Sequence, residues 1–158
     1  MTSAAEFRNS LGDSWIPTIY EDRIRKLRTR SFELDIPERE NDPTIEMTLL
    51  GVELRVGRKR IACPDIETAR YLAVFAILGC AKVAVPYDIT QIGPLAAVLE
   101  DAWREMDRKF AESDRDASPQ TIGKRRAAIL RTIRTEIARI GAGEMMPLFN
   151  RSTRQRQN

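Results

Sequence analysis

The run Ile66–Leu78, IETARYLAVFAIL, constrains this chain more than any other stretch. It has helical period and is apolar nearly all round. A helix without a polar face must be covered on every side, so other elements have to pack around it. Pro64-Asp65 stands before it and Gly79 after it, as helix start and stop residues do. Ahead of it, Thr48–Val56 is rich in Leu and Val and alternates loosely. Val56-Gly57-Arg58-Lys59 reads as a hairpin turn, with Arg60–Cys63 as the returning strand. Behind it, Lys82–Val85 is a short β-branched strand that Pro86 ends.

Strand, helix and short apolar strand form a βαβ unit. Its crossover is expected to be right-handed and its two strands parallel. With the hairpin in front, residues 45–112 are expected to form a compact ββαβα core on a mixed three-stranded sheet. The fold class is α/β, with α+β as the neighbouring possibility. The last core helix carries Leu95, Val98, Leu99, Ala102, Trp103, Met106 and Phe110 at i, i+3, i+4, i+7 spacing, opposite a charged face. That apolar face is expected to pack on the sheet or against a second copy.

Flanking segments complete the plan. Residues 1–13 are small, polar and aperiodic, which predicts disorder. Residues 14–44 read as a helix, capped by Ser14 with Pro17 in its first turn, and then an extended connector. Residues 113–119 form a linker. From 120 to 141 a helix places Ile122, Ile129, Leu130, Ile133, Ile137 and Ile140 on one side, with Lys124, Arg125, Arg131, Arg134 and Arg139 opposite. Residues 142–158 hold the apolar run MMPLF and a basic tail with Arg151, Arg154 and Arg156. The stretch ARYLAVFAILGCAKVAVPYDIT, residues 69–90, resembles a family of uncharacterised cyanobacterial proteins, a resemblance that implies no activity, ligand or catalytic motif.

The chain has no histidine. That removes Ser-His-Asp and Cys-His nucleophile activation, the usual zinc sites and the commonest general base. Neither GxxxxGK[ST] nor GxGxxG occurs, which argues against a common nucleotide-binding enzyme. No cofactor is implied. The only cysteines, Cys63 and Cys80, read as buried thiols. No apolar run approaches membrane-spanning length and the N-terminus shows no secretory signal, so a cytoplasmic protein is expected.

Charge is unevenly spread. From Pro119 onward nine Arg/Lys stand against two Glu, a net of +7, whereas the first 118 residues net −4. A basic terminal segment on an acidic body predicts an acidic partner, either nucleic acid or protein. The candidate contacts are Arg55, Arg58, Lys59 and Arg60 around the hairpin turn, and the C-terminal Lys124, Arg125, Arg131, Arg134, Arg139, Arg151, Arg154 and Arg156. The basic run Arg23–Arg30 is a further candidate, as a docking segment or as cover for the sheet. Aromatic residues make up only 6% of the chain, which argues against a dedicated single-strand binder.

A second candidate site lies where Asp65 and Asp88 follow the expected parallel strands. With Tyr87 they could face the crevice at the strands' carboxyl ends and bind a small molecule or Mg²⁺. The plainer reading is two helix caps. The leading expectation is therefore a non-enzymatic binding or adaptor protein. A small-molecule site and a structural subunit dimerising through Leu95–Phe110 are the alternatives.

Overall fold

α3 occupies Ile66–Leu78, the limits its sequence predicts. Asp65 Oδ1 accepts the Thr68 N–H at 2.8 Å and starts it. At the other end, all of the last carbonyls find donors, which a buried helix end requires. Cys80 N–H reaches Phe75 O at 3.0 Å, Gly79 N–H reaches Ala76 O at 3.0 Å and Asn41 N–H reaches Ile77 O at 3.1 Å. Arg134 donates to Leu78 O at 2.8 Å. Gly79 has φ 81°, and a Cβ there would lie 2.2 Å from Arg39 O. Glycine is thus required both by conformation and by the connector passing over it.

The computed structural model describes residues 4–142 and shows a mixed α/β chain. Its strands form a three-stranded sheet, β2 (Thr44–Thr48), β3 (Gly51–Val56) and β4 (Lys59–Cys63), and a separate two-stranded sheet of β1 (Thr29–Glu33) and β5 (Lys82–Pro86). Gly57, at φ 60°, makes the predicted turn between β3 and β4. The strand expected over Thr48–Val56 is broken by a second tight turn at Leu49-Leu50, so two hairpins follow one another. Inward-facing Leu54, Ile61, Val52 and Cys63 pack beneath α3.

The parallel βαβ pairing does not form. β4 and β5 lie in different sheets, and every pairing among the described strands is antiparallel. β5 pairs instead with β1, Thr29 opposite Pro86 through Glu33 opposite Lys82. The reason is visible on the other edge of β5. Leu34–Ala81 and Arg28–Tyr87 are hydrogen-bonded positions, so by alternation Ala84 turns its N–H and C=O away from β1. Tyr71 Oη donates to Ala84 O at 2.6 Å, and Tyr20 Oη accepts the Ala84 N–H at 3.0 Å. Two phenols thus take the place of a parallel strand.

The flanking helices belong to the same core. α1, Ala4–Leu11, replaces the disorder expected there and buries Phe7 and Leu11. The Phe7 ring sits 4.7 Å from that of Phe110. α2, Ile16–Ile19, runs on into a π-helical turn, Tyr20–Ile24. Trp15, not Ser14, is its N-terminal boundary and gives no side-chain cap. α4 spans Ile92–Ser113 and α5 spans Pro119–Ile140, with Ser118 Oγ accepting the Thr121 N–H. α5 buries Ile129, Leu130, Ile133 and Ile137 against the N-terminal segment and α3. Trp15 Nε1 donates to Glu136 at 2.8 Å, and Tyr20 Oη donates to Gly141 O at 2.6 Å. The α4 stripe Leu95, Leu99, Ala102, Met106, Phe110 is buried by the chain's own elements, which leaves it unavailable to a second copy.

Candidate anion-binding surface

The basic residues expected to meet a partner divide into two groups. Several are already engaged. Arg125 meets Asp114 at 3.0 Å, with both side chains largely buried. Arg134 caps α3, as described above. Arg55 pairs with Glu46 at 3.3 Å across the sheet, which eases its position directly opposite Arg60. Lys59 reaches Asp35 at 3.4 Å and ties the β3–β4 turn to the connector beyond β1. The rest are exposed: Arg58, Arg60, Lys124, Arg131 and Arg139. Arg58 and Arg60 belong to the β3–β4 hairpin, and Lys124, Arg131 and Arg139 to α5. Arg151, Arg154 and Arg156 lie outside the described residues.

Sequence reasoning missed Arg126, the most engaged cation of α5. It clasps Glu40 through two bonds, 2.7 and 2.8 Å, and adds Asp107 at 3.0 Å. Its guanidinium also lies 4.6 Å from the Phe110 ring centre. The Glu40 carboxylate raises its pKa further above the usual arginine range. α5 is therefore fastened to the connector and to α4 by arginines that sequence alone would assign to solvent.

Asp65 and Asp88 are helix caps. Asp65 serves α3. Asp88 accepts the Thr90 hydroxyl at 2.7 Å and its N–H at 3.0 Å, at the start of the 3-10 turn Ile89–Gln91 that leads into α4. Those two bonds, the hydroxyl's foremost, hold its carboxyl below the usual range. The crevice between parallel strands is absent, because the described strands are all antiparallel. Among the described residues no group of three or more His, Cys, Asp or Glu side chains is arranged to hold a metal ion. Cys63 and Cys80 are free and buried. Burial pushes the Cys80 thiol up to about 12 and raises Cys63 as well, so neither is an activated nucleophile.

Tyr87 stands in a different setting from its two expected companions. It is 38% exposed, and Arg28 lies over it, 5.0 Å from the ring centre. Two residues along β1, Arg30 lies 5.8 Å from the centre of Phe32. Strand alternation explains the grouping: Arg28, Arg30 and Phe32 point to one side, and so do their partners Tyr87, Val85 and Val83 on β5. Val83 and Val85 are themselves buried, so the core covers that side of β5 and the exposed part of the face lies along Arg28, Arg30 and Tyr87. Glu33, the acid of β1, belongs to the opposite face by the same alternation. Arg28 and Arg30 are both exposed. Exposed Arg23 and Lys26 precede the strand, and Arg25, tied to Thr29 Oγ1 at 3.0 Å, lies beside Gly141 at the end of α5.

Among the described residues no helix is long and apolar enough to cross a membrane. No family model matches this chain, and neither a curated protein nor a solved structure does.

Proposed function

We propose that this chain is a non-enzymatic binding or adaptor protein whose partner is acidic, either nucleic acid or an acidic protein. The observation that carries the reading is the exposed basic run beginning at Arg23. Arg28 and Arg30 leave one face of the β1 segment and form no ion pair with a described residue, while Arg125, Arg126 and Arg134 of α5 and Arg55 of the hairpin are held by carboxylates or a carbonyl of the chain. The described chain ends at Ala142, next to Arg25 and hence next to this run. Of the +7 carried from Pro119 onward, α5 holds +5, on a helix that ends beside this run. An arrangement of this kind attracts polyanions through screened, salt-dependent forces. A cytoplasmic setting is part of the same proposal, and two unpaired thiols agree with it.

The test is fluorescence polarisation of the full chain against a single-stranded oligonucleotide, a duplex and a poly-glutamate peptide. At about 50 mM salt at least one should bind, and the affinity should fall steeply as salt rises. Failure of all three to bind overturns the proposal.

A further inference from the structure

We infer that the face of the β1–β5 ribbon bearing Arg28, Arg30, Phe32 and Tyr87 binds single-stranded nucleic acid. This rests on the acidic-partner reading above and narrows it to one chemistry. A partner that carries only charge needs arginines and nothing else. This face supplies two rings beside its two arginines, each ring within 6 Å of a guanidinium carbon.

Geometry favours a single strand over the alternatives. Arg28 and Arg30 are two residues apart on a strand, about 7 Å along its axis. That matches the scale on which an extended single strand repeats its phosphates. A base has two flat faces to offer, to a ring or to the plane of a guanidinium, and such stacking contributes whatever the sequence. A duplex keeps those faces inside its own stack, and an acidic peptide has none. Buried Val83 and Val85, paired with Phe32 and Arg30, anchor the β5 side of this ribbon in the core. Glu33, the acid of β1, is turned from it by strand alternation. The low aromatic content of the chain concerns number, whereas stacking depends on placement, and here two of the rings share one face.

The experiment measures polarisation of a labelled oligothymidylate of about 12 nucleotides, within the span of ~4–16 covered by a small single-strand site. The proteins are wild type, Tyr87→Leu, Tyr87→Phe, Phe32→Leu and the double variant Arg28→Ala/Arg30→Ala, with circular dichroism confirming each fold. A duplex of the same length and poly-glutamate are run alongside. Tyr87→Leu should weaken oligothymidylate binding about 5- to 150-fold, the loss of one stacked base, and Tyr87→Phe should restore it. The double arginine variant should weaken binding and flatten its salt dependence by about two counterions. If duplex or poly-glutamate binds as well as oligothymidylate, or if Tyr87→Leu binds like wild type, the single-strand inference is overturned while the acidic-partner reading stands. If no polyanion binds at all, both fall.

Discussion

On α5, Arg125 reaches Asp114, Arg126 clasps Glu40 and Arg134 caps the Leu78 carbonyl; at β1, Arg28 and Arg30 lie over aromatic rings and form no ion pair with a described residue. In sequence the two regions look alike, each a cluster of arginines beside apolar residues. Their geometry separates them. A helix that buries one stripe carries its flanking side chains along the contact, and a long arginine stem can follow the apolar surface to a carboxylate or carbonyl of a neighbour. A strand turns every second side chain the same way, so Arg28 and Arg30 leave a two-stranded ribbon together. Arginines beside a buried stripe become fasteners, and arginines on an outer strand face stay available.

Substitutions test this division, beginning with the largest effect. Arg125→Ala removes the counterion of a largely buried Asp114 and should cost about 3 kcal/mol in urea unfolding. An unchanged midpoint would mean that Arg125 belongs with the surface set.

Alkali probes the two phenols instead. Tyr20 is pushed from 10 to about 12, chiefly by burial. An acid whose folded pKa is raised keeps its full contribution below the unfolded value and loses it as pH rises toward the folded one. Stability should therefore fall above pH 10, by roughly 2–3 kcal/mol from Tyr20 once pH 12 is reached. Tyr71 is raised well above its ordinary value and adds to the fall. The readout is the urea midpoint against pH, and Tyr20→Phe should make the curve shallower. A curve that Tyr20→Phe leaves unaltered would assign the loss elsewhere.

Arg126→Ala breaks contacts that are only partly buried, so about 1–2 kcal/mol is expected from thermal or urea melts. The smallest effect belongs to the other region. Arg28→Ala and Arg30→Ala should each shift stability by less than about 0.5 kcal/mol. A larger loss in either would place β1's arginines among the fasteners and undo the contrast.

Local signals in the sequence specify much of the fold. The α3 limits, the Gly57 turn, the Gly79 stop and the stripes of α4 and α5 all follow from period and from residues with strong conformational preferences. Partners distant in sequence were not legible. β1 was hidden inside what reads as a connector, because TRSFE has neither a strong apolar alternation nor a turn to a neighbouring strand. α1 was hidden because Phe7 and Leu11 are its only buried anchors. The β4–β5 pairing was expected from a rule about connections, and no such rule anticipates Tyr20 and Tyr71 filling the place of a strand. The same holds at Tyr87: its sequence neighbours suggest the company of two aspartates, whereas Arg28, about sixty positions away, lies over its ring.

The two phenols on Ala84 also bear on how copies of this molecule could assemble. A sheet with two bare edges can add neighbours in both directions and lengthen into a fibre. Here one margin of the β1–β5 sheet is sealed from within, by Tyr71 on the carbonyl and Tyr20 on the amide. Ala84 therefore offers neither its amide nor its carbonyl to an added strand.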